Sequence, residues 1–282
     1  MVCCHACGLV NDNATVTTMT TPRQPSIYIP HGGGPAFFMQ GPMQRMFAPM
    51  QEFLATVHQT LPATPTAILL ITAHWESLVV RLTGNPKPEL VYDYYGFPPE
   101  MYNLRYDAPG APGLAAQSAA LLKAADIQAQ VDPDYGWDHG VFIPLKVMFA
   151  QANIPVVAMS LQAGLDPLAH IAMGQALRSL RDEGVLIVGS GMSYHNLGGS
   201  PHAAAESHAF DAWLDTALQG DSAHRKTQLT QWATAPTARQ SHPREEHLLP
   251  LMVASGAGSD APAQKIWKGA VGQTSVSAWA FD

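Results

Sequence analysis

Short apolar runs alternate with longer segments of helical periodicity along most of the chain. The runs 67–72 and 185–189 are apolar at nearly every position, which is typical of strands buried on both faces of a parallel sheet. Strands are predicted at 26–30, 67–72, 78–82, 154–161, 185–189 and 275–281, and helices at 43–60, 113–128, 166–182, 207–218 and 243–254. The alternation predicts an α/β fold: a single domain with a mostly parallel central sheet flanked by helices.

The first 25 residues differ in composition from the rest. Residues 8–25 are rich in Thr, Asn and Pro and show no apolar periodicity, so residues 1–25 are predicted to form a flexible, dispensable leader before one domain at 26–282. This leader lacks the basic and continuous apolar regions of a secretory signal, which predicts a cytoplasmic protein.

The amino-acid composition and net charge argue against several classes of protein. Charged residues make up 13% of the 282 residues, about half of the ~25% that is typical, whereas 12 His stand beside 15 Lys and Arg. The net charge of −7 argues against nucleic acid or an anionic membrane as partner, and no apolar stretch approaches the ~20 residues that span a bilayer. Three cysteines do not make a disulfide scaffold, and Cys3, Cys4 and Cys7 have no second group of ligands with which to build a structural zinc site.

Three histidines follow predicted strands within a few residues. His31 follows 26–30, His74 follows 67–72, and His195 follows 185–189. Ligands of open α/β sheets bind beyond the carboxyl ends of the strands, and parallel strands bring those ends to one edge. The sequence therefore predicts that these three imidazoles lie close together.

Two more histidines have informative neighbours. His139 follows Asp138, a possible orienting partner, in a loop bounded by glycines. Pro243 suits the first position of a predicted helix, so either Glu246 or His247 could project inward from its first turns. Six others are interpreted as surface or core residues: His5, His58, His170, His202, His208 and His224.

Imidazoles from several strand ends favour a first-row transition metal, and both Fe(II) and Zn(II) suit such ligands. The glycines at 32–34 have neither the lysine of a phosphate-binding loop nor the spacing of a dinucleotide fingerprint, so we expect them to let the backbone approach a metal or substrate. Ser190 lies between two glycines, but the flanking spacing is not that of a nucleophile elbow.

Six motifs in consistent order carry a family resemblance. They are Pro30-His31-Gly32-Gly33-Gly34-Pro35, Thr72-Ala73-His74-Trp75-Glu76, Tyr92-Asp93-Tyr94-Tyr95-Gly96-Phe97-Pro98, Gly136-Trp137-Asp138-His139-Gly140, Ser193-Tyr194-His195-Asn196 and His242-Pro243-Arg244-Glu245-Glu246-His247. From about residue 26 to the C-terminus, the chain resembles the LigB-type class III extradiol ring-cleavage dioxygenases, in the 4,5-DOPA dioxygenase branch.

The resemblance implies a non-haem metal at the strand ends, with His31, His74 and His247 as ligands. It implies that His195 is the active-site base and a fourth ligand in a resting zinc form. His139 would line the pocket, where it would either act as an acid or steer dioxygen. The wider class III group uses two histidines and a carboxylate, so Glu246 is a rival third ligand.

Three further residues are expected to contact substrate: Tyr95, Gly33 and Tyr194. The implied reaction uses Fe(II) and O₂ to open the ring of a DOPA-like catechol to a muconic semialdehyde-type product, and Zn(II) could occupy the same site in purified protein. Two alternatives stay open. One is a zinc-dependent hydrolase, for which no separate carboxylate base emerges from the sequence. The other is a non-catalytic metal-binding protein on the same scaffold, as in the related Memo proteins.

Overall fold

An eight-stranded sheet runs through the part of the chain that this computed structural model describes, which is Met1 and residues 21–282. The strands are β1 (Ser26–Pro30), β2 (Ala67–Ser77), β3 (Val80–Thr83), β4 (Ala129–Asp132), β5 (Val156–Gln162), β6 (Val185–Gly191), β7 (Gln264–Val271) and β8 (Thr274–Phe281). Their spatial order is β4-β3-β5-β2-β6-β1-β8-β7. The central four strands, β5-β2-β6-β1, are mutually parallel, whereas β8 and β7 form an antiparallel hairpin at one edge.

Helices cover both faces of this sheet. They are α1 (Pro42–Val57), α2 (Pro112–Ala124), α3 (His139–Met148), α4 (Pro167–Leu177), α5 (Ala203–Leu218), α6 (Ser222–Thr230), α7 (Ala238–Ser241) and α8 (Leu249–Ala257). Short 3₁₀ helices lie at Ala36–Phe38, His58–Thr60, Pro99–Asn103, Arg178–Glu183 and Trp232–Thr234. No helix in the described residues is long and apolar enough to cross a membrane.

The apolar runs bury both faces of the central strands. In β2, Ile68 and Leu70 pack into the layer that contains α1 and α3, whereas Leu69 and Ile71 pack into the layer that contains α4 and α8. Successive side chains of a strand point to opposite faces, and each such aliphatic side chain contributes roughly 1.5–3 kcal/mol when buried. The predicted α/β fold with a mostly parallel sheet is confirmed.

Two predicted boundaries were wrong near the histidines. The second strand does not end at residue 72: Ile71 pairs with Met159 and Glu76 with Leu161, so β2 continues through a bulge to Ser77. His74 consequently lies within the irregular part of the strand. The predicted helix 243–254 begins only at Leu249, and the six residues before it form bends and turns.

Several elements were absent from the sequence prediction, among them β4, β7, α3 and α6. Helix α3 is buried at eight positions and contains Pro144, so its sequence shows no polar face by which to recognise a helix.

The proposed leader is only partly described. Cys3, His5, Cys4 and Cys7 lie outside the described residues. Gln24, at the end of the predicted leader, is fully buried. Its backbone N–H donates to the Arg181 carbonyl (3.0 Å), and its carbonyl accepts from Arg181 Nε (2.7 Å). Its side chain donates to the Ala63 carbonyl (3.0 Å). The division after residue 25 stays a prediction, but these contacts join Gln24 to the folded body.

Candidate active site

The carboxyl ends of the central strands bring three histidines to one edge. β6 lies between β1 and β2, pairing Gly191 with Pro30 on one side and Ser190 with Thr72 on the other. His31 directly follows β1, and its backbone N–H donates to the Gly191 carbonyl at 3.2 Å. The bulge in β2 places His74 beside it. The strand-end argument thus correctly placed His31 and His74 together.

Five imidazoles gather at this edge. Nε2 of His74 lies 3.1 Å from Nε2 of His31, and the ring of His247 is centred 4.9 Å and 5.1 Å from those two rings. His139 lies 3.9 Å from His74, and His195 stacks on His247 at 3.4 Å, both between ring centroids. The structure therefore brings together all five histidines that were expected to form the site.

His247 reaches the cluster from a turn rather than from a helix. Its carbonyl oxygen accepts hydrogen bonds from the Tyr28 hydroxyl (2.8 Å) and the Met192 backbone N–H (3.1 Å). A Cβ at Gly191 would collide with this oxygen, so glycine at that position allows the turn to lie against β6. Contacts with residues distant in sequence, rather than a helix start at Pro243, position His247.

Three rings have hydrogen bonds at Nδ1. His139 pairs with Asp93 Oδ1 at 2.8 Å and His247 with Glu246 Oε1 at 2.9 Å. His31 pairs with Ser190 Oγ at 3.1 Å, and because the Ser190 hydroxyl donates to the Gly140 carbonyl at 2.5 Å, its oxygen accepts from His31 Nδ1–H. These partners leave the Nε2 lone pairs available.

Asp138 is not the partner of His139, contrary to the expectation from their adjacency. Its Oδ1 accepts from the Thr72 hydroxyl at 2.7 Å, and burial raises the pKa of Asp138 to about 6. The orienting carboxylate belongs to Asp93, which the sequence analysis did not single out. Its only local signal is that it is the one acidic residue within the aromatic segment 92–97.

Burial and mutual proximity favour the neutral form of three of these imidazoles. Burial, reinforced by the neighbouring histidines, holds the pKa of His31 and His74 well below the usual value. Burial also lowers the pKa of His247 to about 4, although the Glu246 carboxylate opposes this shift. Burial alone would raise the pKa of Glu246, but its contacts with the His195 and His247 rings outweigh burial and hold that pKa well below its usual range.

This donor set fits a transition-metal ion. Potential ligand atoms lie within 4.8 Å of one another in two groups, His31/His74/His139 and His195/Glu246/His247. Several imidazole nitrogens beside one carboxylate are ligands that suit first-row transition metals. Because the predicted ligands His31, His74 and His247 are divided between these groups, their assignment stays a prediction.

The three predicted substrate contacts occupy different environments. Tyr95 is 91% exposed, Gly33 lies against the Phe47 ring, and Tyr194 is buried. The aromatic side chain nearest the cluster is Tyr94, whose ring is centred 5.8 Å from His139. Substrate binding by Tyr95, Gly33 and Tyr194 stays a prediction.

Comparisons with known proteins identify the family of this chain. Residues 25–280 match the family described as the catalytic LigB subunit of aromatic ring-opening dioxygenase. The dioxygenase tasH of Hapsidospora irregularis is 38% identical over 260 residues, covering 84% of this chain and 78% of that protein. The 4,5-DOPA dioxygenase extradiol of Beta vulgaris is 38% identical over 234 residues, covering 79% and 86%.

A solved structure has a similar fold. An uncharacterized protein from Escherichia coli K12 superposes with a TM-score of 0.72 at 26% identity, covering 92% of this chain and 100% of that one. The 4,5-DOPA dioxygenase extradiol of the same species is 31% identical over 247 residues, covering 85% and 87%. These relatives support a dioxygenase over a zinc hydrolase or a non-catalytic metal-binding protein. The chain belongs to the LigB family and is an extradiol-type, non-haem metal-dependent dioxygenase that opens a small aromatic substrate with O₂.

Proposed function

We propose that this enzyme cleaves the ring of a DOPA-like catechol beside its two hydroxyl groups and yields a muconic semialdehyde-type product. The observation that carries the proposal is the convergence of five imidazoles at the carboxyl edge of the sheet, three of them held through Nδ1. Such a cluster provides both ligands for a metal and additional groups for proton transfer. The relatives named 4,5-DOPA dioxygenase extradiol support a catechol as the substrate class.

His31, His74 and His247 would hold Fe(II), with Glu246 as the rival to His247. Fe(II), when bound, supplies open coordination positions for catecholate oxygens and dioxygen. Zn(II) could bind to the same imidazoles. The protein's contribution is to keep those rings neutral by burial and to orient them through Ser190 and Glu246.

His195 is proposed as the base that accepts a catechol proton and later returns it. Its Nδ1 lies 3.4 Å from Glu246 Oε1, so this carboxylate would orient the ring. A histidine suits this task because its ordinary pKa lies near physiological pH. His139, whose ring is hydrogen-bonded to Asp93, is proposed as an acid or as the group that steers dioxygen.

Aromatic residues next to His139 form a wall suited to a planar ring. Tyr94 is fixed by a hydrogen bond from its hydroxyl to the Met101 carbonyl at 2.7 Å, and it packs edge-on against Phe97. Gly34 has a φ of 54° and lies against the Phe97 ring and Cβ of Tyr94, so the glycine run borders the same wall. This enclosure would exclude water from the reacting ring, and the predicted substrate contacts are Tyr95, Gly33 and Tyr194.

The test is oxygen uptake by the full chain loaded anaerobically with Fe(II) and offered a panel of catechols that includes DOPA. We expect stoichiometric O₂ consumption and a yellow product, no uptake by the Zn(II)-loaded protein, and strongly reduced turnover in His195→Gln. The control is His58→Gln, which changes an exposed histidine distant from the site and should turn over normally. An Fe(II)-loaded protein that consumes no O₂ with any catechol would refute the proposal.

A further inference from the structure

One carboxylate lies between two of the site histidines. Asp93 Oδ1 accepts hydrogen bonds from the backbone N–H of His139 (2.9 Å) and from its ring Nδ1 (2.8 Å). Its other oxygen, Oδ2, lies 3.4 Å from Nδ1 of His74. Because the two rings are centred only 3.9 Å apart, a single side chain contacts both.

The Asp93 carboxylate favours one position for two ring protons, through a hydrogen bond to His139 and a 3.4 Å contact with Nδ1 of His74. An ionised carboxylate accepts hydrogen bonds but cannot donate them, so a neutral imidazole that faces it with Nδ1 carries its proton there. The Nε2 atoms of His74 and His139 then hold lone pairs. His31 reaches the same state through Ser190, which accepts its Nδ1–H.

The Nε2 atoms of His74 and His31 lie close together, so the tautomer decides whether both of their lone pairs are available to a cation. Nε2 of His74 lies 3.1 Å from Nε2 of His31. If either ring moved its proton to Nε2, the two nitrogens would share it in a hydrogen bond, and one lone pair would no longer be available to a cation. With both protons on Nδ1, the two lone pairs face each other.

We propose that Asp93 is a positioning residue that holds both His74 and His139 as Nδ1–H tautomers. One carboxylate thereby prepares the ring assigned to the metal and the ring assigned to proton transfer or dioxygen. The assignment of those two roles rests on the proposed function, whereas the tautomers do not. Asp138 cannot substitute, since its carboxylate accepts from the Thr72 hydroxyl.

Asp93→Asn is the sharpest test because it replaces one acceptor oxygen by a donor without changing shape. If the amide oxygen keeps its two hydrogen bonds with His139, the NH₂ group faces His74 Nδ1. That nitrogen then has to accept, and the His74 proton moves to Nε2. The exposed Asp107, which lies in the same loop region, supplies the matched control Asp107→Asn.

The measurement is ¹⁵N NMR of histidine-labelled full chain, metal-free and loaded with diamagnetic Zn(II). We expect Nδ1–H tautomers for His74 and His139 in the metal-free wild type and in Asp107→Asn, and an Nε2–H ring in Asp93→Asn. Chelator competition should show Zn(II) bound about 10–100-fold more weakly by Asp93→Asn, the loss typical of residues that orient metal ligands.

An Nε2–H tautomer for His74 in the metal-free wild type would overturn the proposal, even if the variant failed to fold. An Asp93→Asn protein that folds with unchanged tautomers and unchanged Zn(II) affinity would also overturn it. Neither readout depends on a substrate. If the tautomer changes as expected while the Fe(II) enzyme cleaves no catechol, the proposed function fails and the role of Asp93 stands.

Discussion

Arg244 forms a bidentate ion pair with Glu76, a residue 168 positions earlier in the chain: Nη1 and Nη2 lie 2.5 Å and 2.7 Å from the two carboxylate oxygens. Glu76 follows His74 by two residues in β2, and Arg244 precedes His247 by three. Nη1 also lies 3.5 Å from Oε2 of Glu246, the carboxylate that contacts His247. The pair therefore connects the two segments that carry separate histidines of the site.

Replacing Arg244 by Gln should affect metal binding more than stability. An exposed ion pair contributes about 0–1 kcal/mol, so the free energy of unfolding should change little. Because Arg244 acts through Glu246 rather than on a ligand directly, we expect metal affinity to fall by about tenfold at most, the lower end for orienting residues. Urea unfolding and chelator competition measure the two effects.

Arg239→Gln is the control for this variant. Arg239 pairs with Glu245 at 2.6 Å in the neighbouring segment. Equal metal affinity in Arg239→Gln and Arg244→Gln would show that the Arg244–Glu76 pair does not support the site.

The sequence predicted the parts of the site that follow from local patterns. His31 and His74 were placed correctly because apolar runs mark parallel strands, and those strands share an edge. Asp93 was missed because it lies in an irregular aromatic segment, and its contact with His139 joins residues 46 positions apart. Pro243 predicts a helix start, whereas His247 lies in a turn. The hydrogen bond from the Tyr28 hydroxyl to the His247 carbonyl is a tertiary contact that no local pattern contains.

The ligand assignment predicts that His31→Ala, His74→Ala and His247→Ala each lose bound metal. Each would remove one of three ligands, so affinity should fall by more than the roughly 100-fold expected when only an orienting residue is changed. Glu246→Ala should show the smaller loss, since Glu246 is assigned as the partner of His247. Metal analysis of purified proteins and chelator competition provide the comparison. Full metal in His247→Ala with loss in Glu246→Ala would make the carboxylate the third ligand.

His195→Ala should separate binding from chemistry. A positioned acid–base group typically contributes about 10²–10⁴-fold to rate, so kcat should fall by that factor while iron and catechol still bind. His195→Gln keeps a polar side chain without a titratable ring and should lose as much. Steady-state oxygen uptake at saturating catechol gives kcat, and iron analysis gives occupancy. Equal loss of iron in His195→Ala and His31→Ala would identify His195 as a ligand, and His139 would become the candidate base.

Two truncations test where the folded domain begins. A chain that starts at Thr21 should unfold like the full chain and turn over equally fast. A chain that starts at Pro25 loses the three hydrogen bonds of Gln24 and leaves the buried Arg181 without its 2.7 Å acceptor. Leaving such a group unsatisfied costs about 1–3 kcal/mol, which denaturant unfolding would detect. Identical stability of the two chains would confirm the division after residue 25.

Acid should destabilise the metal-free protein through His242. This side chain is fully buried beside Phe210; its Nε2–H donates to the Ser193 carbonyl at 3.0 Å, and Nδ1 has no partner among the described residues. Burial, aided by the nearby His195 and His247, lowers the pKa of His242 to about 3. The unfolded chain binds a proton near pH 6.5, whereas the folded chain does not. The contribution of this residue to the free energy of unfolding is therefore fully present above about pH 6.5. It falls as the pH drops toward 3, by up to about 1.4 kcal/mol per pH unit.

Urea unfolding at about pH 7.5 and about pH 5 should give a smaller difference in the free energy of unfolding for His242→Gln than for wild type. Part of the slope stays in that variant because burial also lowers the pKa of His31, His74, His170 and His247. The control is His58→Gln, at an exposed position. A slope unchanged in His242→Gln would show that this histidine does not carry the acid sensitivity.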